Sequence, residues 1–410
     1  MKILLIHQSF VSPHDAGGTR HFEFARMAKS CGHEVTIVAS DLSYLTGKRH
    51  TGVKGLVTES EIDGVRVLRA WTLPALHRSF VWRVVSFVSF MITSAWAGLR
   101  SGRVDIVMGT SPPIFQAVSA WVVASLKRRP LLLEIRDLWP DFAVEMGVLK
   151  NPFLIRLSRM LELFLYRRSH HLLINSPAYR EIITDKGVSI EKISIIANGV
   201  DPEMFDPANE GQAVRSEFGL QDKIIVLYAG ALGMANDIST ILKAAEITKN
   251  DRRLHWVFAG DGKERSRLQQ ESVSRGLEAC TLFTGARPKS DMKHFMGAAD
   301  ICVATLQNIK LFRTTYPNKV FDYMAAGRPT VLGIDGVIRE VIEAAQGGIF
   351  VPPGDPNALA AAVLRLIASP GTRLAQGAAA HQFVIRHFNR HEQARDFVRL
   401  MERIHAESIV

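Results

Sequence analysis

The segment from Tyr316 to Pro329 places a lysine and an aspartate near the start of a short predicted helix. Pro317 suits a first helical turn, and Gly327 suits a helix end. Lys319 and Asp322 are three residues apart, so they share one face near backbone N–H groups that favour an anion. The lysine and the amides would suit a phosphate, and the aspartate would suit ribose hydroxyls. An amphipathic surface helix with a chance ion pair is the alternative interpretation.

Three glycine-rich turns precede this segment, and each follows a predicted strand. Because the carboxyl ends of parallel strands meet at one edge of a sheet, the three turns would line a common edge. Nucleotide can bind there through backbone contacts. One such turn is weak evidence, but three in order followed by the lysine segment favour a nucleotide site. The turns cover residues 228–233, 259–265 and 284–287, and they include Gly230, Gly260 and Arg287.

Another pair of glycines, Gly17 and Gly18, lies between the first predicted strand and the first predicted helix. Glycine lets the backbone approach a ligand closely, and Arg20 stands where the helix begins and its N–H groups are free. The residues do not match G-x-G-x-x-G, so they do not indicate a dinucleotide site. They predict a diphosphate-binding or acceptor-side loop, with a simple turn as the alternative.

A cluster of charged and aromatic side chains follows the strand predicted over residues 131–135. It contains Arg136, Asp137, Trp139 and Asp141. Open α/β sheets bind ligands at the carboxyl ends of their strands, so the cluster predicts an acceptor or catalytic pocket. A carboxylate there could act as a general base if it reached the attacking hydroxyl. The alternative is an Arg–Asp pair that stabilises a loop.

The elements that must position these residues alternate between strand and helix in both halves of the chain. Alternation of this kind predicts α/β structure with parallel sheets, in two doubly wound domains. The first half has a predicted helix over residues 21–30 and strands over 2–7, 34–39, 65–70, 104–109 and 131–135. The second half has predicted strands over 224–229, 255–259, 280–284, 301–304, 330–333 and 348–351.

Turn residues around 196–202 mark the connection between the two domains. We therefore predict a first domain over residues 1–204 and a second over 205–385. After the breaker cluster at 352–356 the chain should be helical, and an amphipathic helix is predicted over 392–407. Residues 386–410 would pack on the first domain.

The chain has 410 residues, 47% of them hydrophobic, so it can bury large cores. Its net charge is +10, and the excess lies in residues 1–200, with 25 Lys and Arg against 16 Asp and Glu. Such a bias suits anionic partners such as phosphorylated ligands or an acidic membrane surface. No recognisable RNA- or DNA-binding motif accompanies the charge, so nucleic acid is not an expected partner.

Cysteine usage and the first residues predict a cytoplasmic protein. Cys31, Cys280 and Cys302 lack metal-ligand spacing and sit in apolar runs, so they are expected to be buried thiols in a reducing compartment. The run of four apolar residues after Lys2 is too short for a signal-peptide core and right for a first strand.

The apolar run from Val84 to Leu99 is 16 residues long, fewer than the roughly 20 needed to span a bilayer. It predicts a helix buried against a sheet. The alternative is a hydrophobic element near an acceptor lipid, which would place the protein peripherally on the inner face of the plasma membrane. Basic residues that would help are Arg78, Arg83, Arg100, Arg103, Lys127, Arg128, Arg129, Arg167 and Arg168.

Taken in order, these motifs resemble the retaining family 4 glycosyltransferases of GT-B fold over almost the whole chain. Within that family the chain looks most similar to the WbuB-like branch of bacterial O-antigen enzymes, through the residues 136–140 and 317–319. The residues that carry the resemblance are Gly17, Gly18, Arg20, 32–35, 196–201, Phe205, 259–262, 321–329 and 351–355.

The resemblance implies two Rossmann-like domains facing each other across a cleft, the first binding the acceptor and the second the donor. It implies transfer of a sugar from a nucleotide diphosphate donor, such as a UDP-sugar, without a bound metal or cofactor. The acceptor would be a glycan, linked to polyprenyl diphosphate, in surface polysaccharide or O-antigen synthesis. We predict Asp137 and Lys319 as the catalytic residues, and we place Arg136, Trp139 and Asp141 on the acceptor side. The donor would contact Gly17, Gly18, Arg20, Gly230, Gly260, Arg287, Thr314, Asn318, Lys319, Val320 and Asp322.

Two departures from the family pattern matter. The family carries two glutamates in this segment; Asp322 stands at the second position and Thr314 at the first, which suits a deoxy or N-acetylated sugar. The family also has an Arg and a Lys after the first strand of the second domain, and residues 233–237 offer neither. We therefore expect Lys319 to bind the diphosphate instead. Lys310, Arg313 and Arg287 are the alternative cations that could bind the diphosphate.

Two other functions fit the same motifs. A GT-B nucleotide-sugar 2-epimerase would share the donor site but need acid–base carboxylates and no acceptor. A non-catalytic relative that binds nucleotide sugar is favoured by the missing glutamate and the missing Arg/Lys pair.

Overall fold

The computed structural model describes residues 1–13, 17–43, 47–50, 52, 55–75, 78–208 and 211–408. The chain divides into two compact units. The first contains Met1–Pro13, Gly17–Ala197 and His391–Val410, and the second contains Asn198–Arg390. The structure thus places residues 198–204 and 386–390 with the second unit, not with the flanking domains to which we assigned them. The cause is that these segments pair: Val200 N–H donates to the Phe388 carbonyl at 3.0 Å, and Arg390 N–H donates to the Val200 carbonyl at 2.9 Å.

The first unit is built on a sheet whose strands are β1 (Lys2–Ile6), β2 (Glu34–Ser40), β3 (Val57–Ile62), β4 (Val65–Ala70), β5 (Ile106–Ser111), β6 (Leu131–Ile135), β7 (His171–Ile174) and β8 (Ile193–Ile195). Among the described residues their order is β3-β4-β2-β1-β5-β6-β7-β8. All neighbours are parallel except β3, which runs antiparallel to β4. The order reverses between β1 and β5, and open parallel sheets bind their ligands at that switch point.

The helices are α1 (Arg20–Ser30), α2 (Phe80–Arg100), α3 (Ile114–Lys127), α4 (Asp141–Glu145), α5 (Pro152–Arg168), α6 (Ala178–Asp185), α7 (Gln212–Glu217), α8 (Ile238–Thr248), α9 (Arg265–Ser274), α10 (Lys289–Ala298), α11 (Asn318–Ala325), α12 (Val337–Ala345), α13 (Pro356–Ala368), α14 (Pro370–His387) and α15 (Arg390–Glu407). The helical region predicted after residue 356 is therefore present.

Helices cover both faces of the first sheet, which explains why its central strands are continuous apolar runs. On one face α1 and α15 meet, with the rings of Phe24 and Phe397 stacked at 4.4 Å. On the other face α2 and α3 pack on the sheet through buried residues such as Phe90, Ala97 and Val123. The C-terminal helix therefore contributes to the core of the first unit.

Helix α2 differs from its prediction in length and in burial. It covers 21 residues rather than 16, and Ser79 caps its start by accepting a hydrogen bond from the Trp82 N–H. Only one face is buried, and its large apolar side chains on the other face are exposed. The sequence run also contains Ser86, Ser89, Thr93 and Ser94, and Ser86 donates to the Leu73 carbonyl while Ser94 donates to the Ser119 hydroxyl. The buried face is therefore the one that carries these small polar residues.

Two smaller features were also missed. Strand β3 is polar and lies at the sheet edge, where the alternation of apolar and polar residues is weak. Its turn to β4 has positive φ angles, 47° at Asp63 and 76° at Gly64. Asp-Gly is a strong hairpin signal, so this element could have been predicted. Cys31 is exposed because it caps the end of α1, which corrects the prediction of three buried thiols.

The second unit has a sheet of strands β9 (Ile224–Ala229), β10 (Leu254–Ala259), β11 (Thr281–Gly285), β12 (Ile301–Thr305), β13 (Thr330–Gly333) and β14 (Gly348–Phe350). Within the described chain their order is β11-β10-β9-β12-β13-β14, all parallel. This is the Rossmann order 3-2-1-4-5-6, with its switch point between β9 and β12. The predicted doubly wound α/β fold is confirmed.

The turns after β9 and β10 are locked together by backbone contacts. Gly230 N–H donates to the Ala259 carbonyl and Leu232 N–H donates to the Asp261 carbonyl, both at 2.9 Å. Gly260 has a φ of +153°, and a Cβ there would lie 1.9 Å from the Gly230 oxygen. The glycine is needed because the two turns touch through their backbones.

We predict that Gly260→Ala lowers the free energy of unfolding by about 3 kcal/mol, since left-handed strain and a backbone clash combine. Gly276→Ala is the control: its φ is +67°, but a Cβ there would meet nothing within 4 Å. That variant should cost only about 1 kcal/mol. Urea unfolding of both variants measures the difference, and equal midpoints would show that the two turns can separate freely.

Candidate functional site

Lys319 lies at the switch point of the second sheet and is held by three elements. Its ammonium donates to the Tyr228 hydroxyl at 2.8 Å and to the Asn236 side-chain oxygen at 2.7 Å, and it lies 4.4 Å from the centre of the Tyr228 ring. Tyr228 is in β9, and Lys319 is in the first turn of α11. Asn236 follows β9 and is tied to the end of β12, where the Thr305 hydroxyl donates to its carbonyl at 2.6 Å.

The ammonium of Lys319 is desolvated without receiving a negative partner. Both of its hydrogen-bond acceptors are uncharged, and within the described part of the chain no carboxylate pairs with it. Burial lowers the pKa of Lys319 from the ordinary 10.5 to about 7. A cation in this state gains more from an anionic ligand than a surface lysine does, because less water must be displaced.

The start of α11 adds backbone N–H groups beside this lysine. Pro317 is the residue that precedes the helix, not part of its first turn as predicted, and no side chain caps the helix start. Asn318 is exposed, whereas the Val320 side chain is fully buried and can offer a ligand only its backbone. Asp322 is half-buried one turn further on, and Lys319 donates to Tyr228 and Asn236 rather than to it. The segment therefore has a free cation and helix amides, not a chance ion pair.

Two of the three alternative cations for the diphosphate lie close to carboxylates of the second unit. The Arg287 guanidinium donates to Glu217 at 2.9 Å and lies 5.5 Å from the centres of the Phe218 and Phe295 rings. Arg313 lies 3.6 Å from Asp335. Arg287 therefore has partners within the second unit, and its contact with the donor stays a prediction.

Two other members of the predicted donor set are placed by local geometry. The Thr314 hydroxyl donates to the Leu311 carbonyl at 2.6 Å, within a 3-10 turn over Lys310–Thr314. Gly230 leaves room for the lysine, since a Cβ there would lie 3.3 Å from the Lys319 Cε. Gly260 packs against Gly230 and so supports the same turn.

The switch point of the first sheet holds a histidine that sequence reasoning missed. His7 follows β1, and its Nδ1 lies 2.9 Å from the Thr110 hydroxyl at the end of β5. Its Nε2 lies 3.2 Å from the Arg136 guanidinium, which leaves Nδ1–H to donate to Thr110. Burial, together with the charges of His21 and Arg136, holds the pKa of His7 well below its usual range. His7 is therefore a neutral group that orients Arg136.

Glu134 is hydrogen-bonded to two basic side chains beneath this edge of the sheet. It accepts from Arg20 Nε at 2.9 Å and from His21 Nε2 at 2.5 Å. Burial alone would raise the pKa of Glu134, but the charges of His21, Arg20 and Arg136 hold it below its ordinary value. The carboxylate is therefore ionised and fixed.

Arg20 has a structural role in the first unit, and its contact with the donor stays a prediction. Besides its bond to Glu134, it donates to the carbonyls of Ile196 and Ala197 at 2.6 Å each, and it is 9% exposed. All three guanidinium nitrogens are thus used inside the first unit. Gly17 and Gly18, just before it, are exposed.

Asp137 stands where β6 ends, next to Arg136. Burial raises the pKa of Asp137 to about 6, against the opposing charge of Arg136. The Arg136 N–H donates to the Ser111 carbonyl at 2.8 Å, so this turn is fixed to the end of β5. A carboxylate with this pKa is ionised at neutral pH and can accept a proton or a hydrogen bond from a hydroxyl.

Asp141, predicted on the acceptor side, is engaged in ion pairs. It lies 3.0 Å from both Arg159 and Lys186, and Lys186 also lies 2.8 Å from the buried Glu162. These bonds tie α4, α5 and the end of α6 together, so the structure gives Asp141 a different role. Trp139 is half-buried just before α4.

Two buried amides on the same edge were not predicted. Gln8 follows His7 and is 4% exposed, and its side-chain nitrogen and oxygen have no hydrogen-bond partner in the described chain. Asn175 follows β7 beside Arg136, and its side-chain oxygen likewise lacks a partner among the described residues. Unsatisfied buried amides are costly, so these groups are suited to polar ligand atoms.

Comparisons with known proteins match both units. A family model described as a glycosyl transferase 4-like domain matches residues 17–199, and one described as glycosyl transferases group 1 matches residues 223–369. The amylovoran biosynthesis glycosyltransferase AmsK of Erwinia amylovora is 25% identical over 320 residues, which are 77% of this chain and 70% of that protein.

Solved structures of low identity share the fold. The sucrose-phosphate synthase of Thermosynechococcus elongatus has a TM-score of 0.79 at 18% identity, covering 99% of each chain. HepE of Anabaena, solved in complex with UDP-glucose, has a TM-score of 0.73 at 16% identity, covering 98% of this chain and 99% of HepE. These neighbours confirm the predicted GT-B fold. The WbuB-like branch stays a prediction.

We predict that Lys319→Met raises the unfolding temperature of the ligand-free protein. The folded pKa of Lys319 is about 7 and the unfolded value is about 10.5, so at pH below 7 the wild type carries the full cost of burying the charge. That cost falls as pH rises from 7 to 10.5. The variant should therefore melt about 2 °C or more above the wild type at pH 6, and the gap should narrow at pH 9.

The matched control is Lys243→Met, which replaces an exposed lysine on α8. It should leave the unfolding temperature unchanged at both values of pH. A Lys319→Met variant that melts lower than the wild type at pH 6 would show that its hydrogen bonds outweigh the cost of burial.

Proposed function

Because the chain belongs to the family 4 glycosyltransferases of GT-B fold, we propose that it transfers a sugar from a nucleoside diphosphate donor to a glycan acceptor, with retention of anomeric configuration. The donor binds the second unit, and the acceptor binds the first. The observation that carries the proposal is the desolvated, unpaired ammonium of Lys319 at a Rossmann switch point.

In this proposal Lys319 binds the donor diphosphate and stabilises the charge that grows on it as the sugar leaves. The N–H groups at the start of α11 act on the same phosphates, and Asp322 binds the ribose. The ammonium is already desolvated and held by Tyr228 and Asn236, so little reorganisation is needed when the donor arrives. This is electrostatic stabilisation by a preorganised group.

On the acceptor side, Asp137 orients the acceptor hydroxyl and accepts its hydrogen bond. Retention would follow if an oxygen of the donor phosphate took the acceptor proton on the same face of the sugar, with no protein nucleophile. His7 and Glu134 fix the position of Arg136 and of the buried edge beneath Asp137. The reaction then needs no metal, and chelator treatment should leave turnover unchanged.

A UDP-sugar is our proposal for the donor, supported by the UDP-glucose bound to HepE. Surface polysaccharide synthesis is supported by AmsK, which is named for amylovoran biosynthesis. A polyprenyl-diphosphate-linked acceptor would suit the basic first half of the chain. Thr314 in place of a glutamate favours a deoxy or N-acetylated sugar.

We predict that Lys319→Met weakens binding of UDP by about ten- to a hundredfold, because a charged hydrogen bond to phosphate contributes about 1.5–3 kcal/mol. Bound phosphate raises the pKa of Lys319, so wild-type affinity should be constant below pH 7 and fall as pH rises above it. The variant should lack this dependence, and Lys243→Met should keep it. Isothermal titration across pH measures both effects.

A thermal-shift screen with UDP, GDP, ADP and their sugars tests the proposed function more broadly. A ligand at 100 times its dissociation constant should add about 2.7 kcal/mol of stability. Conversion of the donor sugar without an acceptor would indicate an epimerase. If no nucleotide shifts the transition, the proposed transferase activity is wrong.

We predict that Asp137→Asn lowers kcat by about a hundredfold or more and leaves UDP affinity unchanged, since Asp137 acts on the acceptor and not on the donor. Wild-type activity should fall as pH drops through about 6, where Asp137 becomes protonated. The variant should lose that limb of the pH profile. If the activity of Asp137→Asn still falls as pH drops through about 6, a different group is responsible for that fall.

A further inference from the structure

Three helices form a continuous layer on one face of the first sheet. Helix α3 packs between α2 and α5: the Phe87 and Phe115 rings lie 6.1 Å apart, and the Trp121 and Phe164 rings lie 4.9 Å apart. The hydroxyls of Ser94 and Ser119 bond at 3.0 Å in the α2–α3 contact. The outer side of this layer, from α2 to α5, points away from the sheet. We call it the α2–α5 face.

The α2–α5 face exposes large apolar side chains in helical stripes. On α5, Phe153 is 72% exposed, Leu157 52% and Met160 62%, at the spacing i, i+4, i+7. On α2 the exposed stripe contains Val81, Val85, Ile92, Trp96 and Leu99. Single exposed apolar residues are ordinary, but stripes on two helices of one layer mark an interaction surface.

The charge on this face is positive. Helix α2 has no acidic residue, and the guanidinium of Arg100 lies 4.7 Å from the centre of the Trp96 ring. The one acidic residue of α5, Glu162, is 2% exposed and bonded to Lys186, so it does not face outward. Exposed basic residues on α5 and after α3 are Arg128, Arg129, Arg156, Arg167 and Arg168; Arg159 is also exposed, but its charge is paired with that of Asp141.

Helix α2 is long and apolar enough to cross a membrane, but its packing argues for a different position. Phe90 and Ala97 are buried against the sheet, and a Cβ at Gly98 would lie 2.9 Å from Val123. The helix thus lies flat on the protein with one face covered. A flat helix with an apolar outer stripe and flanking Arg and Trp is the form of an interfacial element, which rests in the headgroup region.

We propose that the α2–α5 face binds the surface of an anionic lipid bilayer. Phe153, Leu157 and Trp96 enter the headgroup boundary, and the arginines contact lipid phosphates. A second copy of the chain would bring two basic faces together, which like charges oppose. Neither the donor site nor its chemistry enters this inference. Membrane binding by this face is therefore tested independently of the proposed function.

Co-sedimentation with vesicles tests the proposal. The full chain should bind vesicles that contain phosphatidylglycerol, bind phosphatidylcholine vesicles much more weakly, and be released by salt. Leu157→Glu and Trp96→Glu should each lower partitioning about tenfold or more. Arg156→Gln should lower it about fivefold, since one basic residue near an anionic surface contributes about that much.

The matched control is Leu374→Glu, on α14 of the second unit, where the leucine is 69% exposed. It should bind vesicles like the wild type, and unfolding temperatures equal to that of the wild type show that all variants are folded. Equal binding to both vesicle types, or equal loss in Leu374→Glu, overturns the proposal. So does a concentration-dependent dimer in sedimentation velocity that Leu157→Glu abolishes, because the face would then be covered by a second copy.

Discussion

The second unit partly buries one ammonium group and gives it no carboxylate partner among the described residues, and the surrounding edge of the sheet is organised around that constraint. Strand β9 supplies Tyr228, the turn tied to β12 supplies Asn236, and Gly230 leaves space for the lysine side chain. The folded chain carries this electrostatic cost by itself, and either loss of the proton or an anion can relieve it. An anionic ligand would therefore be favoured before any nucleotide contact is made.

The first unit handles charge in the opposite way. Its buried carboxylate, Glu134, is matched by Arg20 and His21, and Arg136 is matched by the neutral His7. A hydrogen-bonded network around a buried carboxylate is rigid. Asp137, half-buried beside this network, would therefore hold a neutral hydroxyl in a fixed direction. One unit would thus recognise a charged donor, and the other would orient an uncharged acceptor group.

Hydrophobic runs and glycine turns were enough to predict all six described strands of the second sheet, because parallel strands buried on two faces leave strong local signals. In the first sheet they predicted β1, β2, β4, β5 and β6 but missed β3, β7 and β8. Sequence reasoning missed the contacts of residues whose partners are remote in sequence. Arg20 looked free because Glu134 and Ala197 are 114 and 177 residues away. His7 has no motif, and only the register of β1 with β5 brings it to Thr110. The small polar residues of α2 were not recognised as its buried face, so its exposed face became known only from what packs against the other one.

The last helix gives the chain an unusual order of assembly. Phe397, Met401 and Ile404 of α15 belong to the core that begins with β1, although all of the second unit lies between them in sequence. During synthesis the second unit has its complete sequence before the first unit does. Strand β1 and helix α1 must therefore wait, with part of their apolar surface uncovered, until α15 has been synthesised.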